Sequence, residues 1–280
     1  MTTSDKGSLP FEEWSDTQLL TVAVVQRGSS FLSMMGSTYI IWKIVDPQQT
    51  EQTLNKMYQR IMFSLSVSDV VGSLGLFLKD WAMPADSLHS EFLYGNVGNR
   101  VTCDAQGFFV QCGYYAAILY NVVLAYYFLM TVKYGWREAT WRKLEPFLHS
   151  FAILFPFATA IVCSVTGHFN HSLMSCWIQS YPLDCETSDD IDCIRGENAA
   201  LYRLIFMVFP CIVCVISIST CMTKLCLFVR RVESDAMKYS LHSSRNGVGC
   251  LKKTKKVFRR SCWYVGALVV VWAPMLVSFL

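Results

Sequence analysis

MYQRIMFSLSVSDVVGSLGLFLKDW, residues Met57 to Trp81, is the stretch on which the reading of the fold turns. It is apolar for long enough to cross a bilayer as a helix, which takes roughly 20 residues. Asp69 stands near its middle, roughly 18 Å along the helix from Met57 at 1.5 Å per residue. An ionisable group at that depth is costly and marks a functional candidate. Ser66 and Ser73 stand at i−3 and i+4, on the same helical face. Two roles fit this stripe. It is either a cation or water site that couples helix movements, or a protonated carboxyl bonded to its serines that holds helices together.

Five similar blocks flank this one. The six predicted membrane helices run over about 19–45, 57–81, 103–132, 147–167, 201–229 and 262–280, behind an N-terminal tail of residues 1–18. The composition agrees: of 280 residues, 53% are apolar and only 16% charged, against about 25% charged in a soluble domain. The same figures exclude a disordered chain, 15 Gly and 8 Pro exclude a collagen-like one, and 12 Cys in 280 residues are too sparse for a small disulfide scaffold. Backbone groups in hydrocarbon must bond within their own segment, and the short alternating segments of a membrane barrel are absent. The expected fold is therefore an all-α polytopic bundle. The N-terminal tail holds Asp5, Glu12, Glu13 and Asp16 against Lys6, unlike a cleaved signal peptide. The first helix is thus expected to be a signal-anchor. The sequence given stops at Leu280 inside an apolar block, and we expect it to be a fragment of a longer chain.

Charge orients the bundle. Eighteen of the 24 basic residues fall in, or at the helix ends that border, the loops between helices one and two, three and four, and five and six. The last of these loops, 230–261, is the most basic and includes Lys252, Lys253, Lys255, Lys256, Arg259 and Arg260. The opposite side carries the acidic run Asp184, Glu186, Asp189, Asp190, Asp192 and Glu197. The positive-inside rule then puts the N-terminus outside the cell and the basic loops in the cytosol. A plasma-membrane location is expected. The basic face matches anionic headgroups or an acidic partner, and nucleic acid is not needed to explain it.

The cysteines sort by side. Cys103 opens helix three on the outside and Cys176 lies in the second outer loop, so a bridge between them would pin that loop to the helix. Cys185 and Cys193 are either a second, local bridge or free thiols. Cys112, Cys163, Cys211, Cys214 and Cys221 lie within helices and read as packing residues. Asn170-His171-Ser172 is a glycosylation acceptor pattern on the same outer loop. Helix three carries Gln111, Tyr114, Tyr115 and Asn121 at helical spacing, either lining a ligand cavity or bonding between helices. Arg27 either snorkels at the outer interface or enters a pocket. Trp272-Ala273-Pro274 should kink helix six into a lever behind the basic loop. Metal-ligand spacings and catalytic motifs are missing, so neither a metal, a cofactor nor an enzyme activity is expected.

Several stretches together resemble a known architecture. They are Gly36-Ser37-Thr38-Tyr39-Ile40-Ile41, Leu65-Ser66-Val67-Ser68-Asp69, Thr102-Cys103-Asp104-Ala105-Gln106-Gly107-Phe108-Phe109 and Lys133-Tyr134-Gly135-Trp136. With the outer cysteine pair and Trp272-Ala273-Pro274, they resemble a seven-helix G-protein-coupled receptor. The details are closest to the cyclic-AMP-receptor-like group of unicellular eukaryotes. The resemblance implies a receptor for an unknown extracellular ligand, acting through helix movement on a heterotrimeric G protein. It implies Trp272 and Pro274 as a switch, and Lys133, Tyr134, Arg137 and the basic residues of 252–260 as G-protein contacts. It also implies a seventh helix beyond Leu280. The acidic-Arg-Tyr triplet of rhodopsin-like receptors is replaced here by Lys133-Tyr134-Gly135-Trp136. A transporter or channel with Asp69 in its polar core is the competing expectation. A retinal-based light sensor is disfavoured, because no block holds a lysine at mid-depth.

Overall fold

The computed structural model describes residues 16–46, 56–85, 95–172, 175–183, 185–186 and 191–240. The expected sixth helix, with Trp272 and Pro274, lies outside the described residues, as do Lys252, Lys253, Lys255, Lys256, Arg259 and Arg260. Helix α1 spans Asp16–Val45 and α2 Met57–Leu78, which ends in a 3-10 turn at Lys79–Ala82. Helix α3 spans Arg100–Lys133 and α4 Glu138–Val165. A short antiparallel hairpin comes next, β1 at Phe169–His171 and β2 at Cys176–Ile178, with Asn170 opposite Trp177. Helix α5 (Ala199–Arg203) passes through a π-helical turn at Leu204–Val208 into α6 (Phe209–Ser240).

The termini of these helices have identifiable causes. Asn99 and Thr102 form a reciprocal capping box that starts α3. Gly167, at φ +70°, ends α4 by taking the left-handed conformation that glycine adopts freely, and the His168 N–H closes onto the Cys163 carbonyl at 2.8 Å. Two boundaries differ from the sequence reading. Helix α4 begins at Glu138 rather than near residue 147, because its first turns are charged outside but bury Trp141 inside. The loop expected from residue 230 is helical as far as Ser240. Neither glycine nor proline interrupts 230–240, so nothing stops the helix where the apolar block ends.

Neighbouring helices alternate in direction, with α3 at the centre touching α2, α4, α6 and both strands. Among the described residues four helices are long and apolar enough to cross a membrane: Met57–Ala82, Arg100–Lys133, Glu138–Val165 and Ala199–Val232. The chain is thus an all-α integral membrane protein. The first expected span does form a helix, but Gln26, Arg27, Ser29 and Ser30 dilute its apolar character below that of the other four. Large apolar side chains face outward on α4, among them Phe147, Phe151, Leu154 and Phe157. A hydrocarbon surround accommodates such a surface, and water does not.

Small residues set the α2–α3 spacing. A Cβ on Gly113 would strike the backbone of Gly72, and one on Gly72 would lie 2.8 Å from the Tyr114 ring. Close backbone approach of this kind holds helices together where lipid removes the hydrophobic drive. Gly113→Leu should therefore lower the melting temperature in detergent, by the equivalent of about 1–3 kcal/mol of overpacking. Gly36→Ala should leave it unchanged or raised, since a Cβ there meets nothing within 4 Å. Equal effects of the two would show that the α2–α3 contact is not what the glycine serves.

Candidate functional site

At one end of the bundle the hairpin folds over α3. Cys176 is bridged to Cys103, with Cα atoms 5.2 Å apart, and a second bridge joins Cys185 to Cys193. The expected pair is therefore formed, and of the two alternatives for Cys185 and Cys193 the structure has the local bridge. The buried amide of Gln106 secures the same strand. Its Nε2 donates to the carbonyls of Gly75 (2.8 Å) and Lys79 (3.0 Å), and its Oε1 accepts from the Cys176 N–H (2.9 Å). Sequence reasoning misses Gln106 as a site residue. The only signal is an amide one turn inside a capped helix, next to a cysteine.

One turn deeper, Gln111 joins three elements. Trp177 Nε1 donates to its Oε1 at 3.0 Å, and its Nε2 donates to Thr159 Oγ1 at 3.2 Å. Thr159 in turn donates to the Pro156 carbonyl at 2.9 Å, using an acceptor in the proline-containing stretch of α4. Below Trp177 lies a cleft of about 430 Å³, counted to its open mouth. Helix α3 supplies Val110, Gln111, Tyr114, Tyr115 and Ile118 to it, α2 supplies Leu76, the hairpin Ser175 and Trp177, and the π turn Met207. Tyr115 is 3% exposed and stacks on Phe155, with ring centroids 5.6 Å apart. Its hydroxyl oxygen is buried without a hydrogen-bond partner among the described residues.

Of the proposed helix-three stripe, Gln111, Tyr114 and Tyr115 thus meet at one cleft. Asn121 does not; its Nδ2 donates to the Ala117 carbonyl of its own helix at 2.8 Å. Asp69 also lies elsewhere. Its carboxylate accepts from Ser33 at 2.8 Å and Ser37 at 2.6 Å, both on α1. The serines expected to serve it, Ser66 and Ser73, are buried, with Ser73 beside the Tyr114 phenol. At about 100° per residue they project roughly 40–60° round the helix from Asp69, enough to face a different neighbour. The hydroxyls at i and i+4 on α1 are the signal that sequence reasoning passes over.

Asn170 corrects a further expectation. It is 2% exposed, and its Nδ2, the atom a glycan would occupy, donates to the Gly167 carbonyl at 3.0 Å and the Gln179 carbonyl at 2.7 Å. The folded hairpin uses this residue as an internal brace, which leaves no room for a glycan on it. Arg27 neither snorkels free nor enters the cleft. It stacks over Trp81 at 4.4 Å and lies 3.7 Å from Asp80, which also holds the buried Lys79 at 3.1 Å. Arg195, outside the spans, stacks over Tyr181 at 4.8 Å. Burial, with the nearby Arg100 charge, pushes its pKa down.

The opposite end carries an unanticipated polar chain. Arg60 on α2 pairs with Glu138 and Glu145 on α4, and Glu138 also accepts the Met57 N–H that opens α2. Glu145 lies 3.7 Å from His149, whose Nδ1 is 2.9 Å from the Tyr120 hydroxyl of α3. Sequence reasoning counts Arg60 only as a topology charge. Beside this chain, Lys133 lies 5.1 Å over the Tyr134 ring, and Gly135 turns at φ +67°. Trp136 then packs inward on Trp141 at 5.2 Å, leaving Tyr134 and Arg137 exposed.

Gln106→Leu keeps the volume but removes every bond of the amide, at about 1–3 kcal/mol for each buried group left unpaired. The melting temperature should fall, and dithiothreitol should reduce Cys103–Cys176 faster than in the parent protein. A normal reduction rate despite a lower melting temperature would show that the amide does not seat the strand. A scan against protein-family models finds no match to the chain, and a search of curated proteins finds none either.

Proposed function

We propose that the protein is a membrane receptor that passes an extracellular stimulus to a cytosolic heterotrimeric G protein by helix movement. The observation that carries this reading is the roofed cleft. A disulfide-pinned hairpin places Trp177 over a space lined chiefly by α3, and Trp177 is bonded to the same Gln111 that contacts α4. An occupant touching Trp177 and Tyr115 would act on α3 and α4 together. Further along α3, Tyr120 meets His149 and, through Glu145, Arg60. A ligand that favours one arrangement of these contacts shifts the bundle by its differential affinity for the two states.

The orientation belongs to the same reading. Exposed Lys56, Arg137, Arg142, Lys143, Lys224, Arg230 and Arg231 favour a cytosolic basic end, and the two bridges favour an oxidising opposite side. The N-terminus is then extracellular and the membrane is the plasma membrane. Exposed Tyr134 and Arg137, with Lys133, stand where the resemblance implies G-protein contact. The transporter reading gains less support, because Asp69 is held at the α1–α2 seam by Ser33 and Ser37 rather than in the cleft.

The test is nucleotide exchange on purified heterotrimers by the full-length chain in nanodiscs, with and without membrane extracts that supply candidate ligands. Exchange above the heterotrimer's own rate is expected, and Lys133→Glu with Arg137→Glu should abolish most of it. A parent protein that stimulates no class of heterotrimer, yet moves solute across liposomes in an Asp69-dependent way, would replace this reading with a transporter.

A further inference from the structure

The first turns of α4 separate their charges by side. Glu138 and Glu145 turn toward the bundle, where both pair with Arg60, and Trp141 between them is 1% exposed. Arg142 and Lys143 turn away from it and are exposed. Glu138 and Arg142 stand at i and i+4, a spacing at which opposite charges ordinarily pair on a helix surface. Here Glu138 is taken instead by Arg60, at 3.4 Å, and by the Met57 N–H. Neither Arg142 nor Lys143 forms an ion pair among the described residues. Two consecutive cations are thus left without a counter-charge from the protein.

What lies beneath them indicates the partner. Lys143, Phe147 and Leu154 stand at i, i+4 and i+11, within about 40° of one another round the helix. Phe147, Phe151 and Leu154 are 70%, 52% and 61% exposed. At 1.5 Å per residue, Phe147 lies roughly 6 Å and Leu154 roughly 17 Å along the rod from Lys143. One face therefore presents charge first, and then aromatic and aliphatic side chains over about half of a hydrocarbon core about 30 Å thick. An acidic protein approaching from water meets Tyr134 and Arg137 in the connection before α4, whereas Arg142 and Lys143 share their face with side chains that lie in lipid. A phospholipid with a net negative headgroup matches both halves of that face. Phosphatidylcholine matches only the apolar half, because its own choline cation offsets its phosphate. We propose that this face of α4 binds an anionic glycerophospholipid, its phosphate held by Arg142 and Lys143 and an acyl chain lying along Phe147, Phe151 and Leu154. The proposal rests on the membrane-spanning character of α4 and not on the receptor reading.

The test uses the full chain in phosphatidylcholine nanodiscs with a trace of photoreactive lipid. The two probes are phosphatidylglycerol and phosphatidylcholine, each with a diazirine in one acyl chain, and labelling is mapped to peptides by mass spectrometry. The anionic probe should label the peptide from Phe147 to Leu154 more than the neutral probe does, by about tenfold or more. Two basic residues at a charged lipid surface are worth up to about thirtyfold. High salt should shrink the difference, and excess water-soluble glycerophosphoglycerol should not displace the lipid. Arg142→Gln with Lys143→Gln should bring the two probes level while the melting temperature in phosphatidylcholine stays that of the parent. Lys143→Gln alone, with a smaller loss, gives the same readout if the double variant does not fold. Equal labelling of the parent by both probes, a preference that survives the double variant, or displacement by free glycerophosphoglycerol would each overturn the proposal. The first of these, joined to a loss of nucleotide exchange in the double variant, would assign the pair to an acidic protein partner instead.

Discussion

The contact between Gly72 of α2 and Gly113 of α3 sets the geometry of the bundle around it. Two helix backbones can approach this closely only where neither carries a side chain. With the separation fixed, Tyr114 lies against Gly72, and Val110 fits against Gly75. Gln106, near the other end of that seam, then reaches two carbonyls at the end of α2. The same amide receives the Cys176 N–H, so the hairpin is positioned by the helix pair and not only by its disulfide. The cleft lies between α3, Leu76 of α2, the hairpin residues Ser175 and Trp177, and Met207 of the π turn.

Many polar groups inside this bundle bond across a helix pair or back onto their own helix, although the Tyr115 hydroxyl does neither among the described residues. Asp69 ties α2 to α1, Gln111 ties α3 to α4, and Tyr120 ties α3 to α4 again near the basic end. Asn121 and Thr159 bond to carbonyls of their own helices. In hydrocarbon, where water offers no alternative partner, such bonds specify which helices are neighbours. The chain from Arg60 through Glu138 and Glu145 to His149 does the same between α2 and α4, and adds charge to it.

Much of the fold was legible because a bilayer-length apolar block is a strong signal. The blocks around Met57, Cys103, Phe147 and Leu201 all fall within helices, and the Cys103–Cys176 pair was readable from which side of the blocks its members occupy, whereas side alone left Cys185 and Cys193 open between a bridge and free thiols. Boundaries were less legible, because an apolar count stops where the lipid does while the helix does not. Glu138–Glu145 and 230–240 are both helical past that limit. The site was legible only in part. Periodicity put Gln111, Tyr114 and Tyr115 on one side of α3, but it could not say that Asp69 would turn to α1. That depends on a neighbour's register, here Ser33 and Ser37, which no single segment encodes. Asn170 failed for a related reason: a three-residue acceptor pattern carries no information on burial, and the tight turn at Gly167 folds the asparagine inward.

The π turn at Leu204–Val208 has a separate implication for how the chain can vary. A π turn accommodates one residue more than the α-helical path beside it. Removing one residue there restores ordinary helical winding and leaves α6 in phase with α3. A deletion elsewhere along the rod would rotate every later side chain by about 100° and unseat Leu225 and Val229 from Leu129. Met207, on the cleft wall, belongs to that same turn. Length change and a reshaped cleft wall are therefore coupled at one point, so homologous chains can acquire different cavity shapes there without re-registering the rest of the bundle.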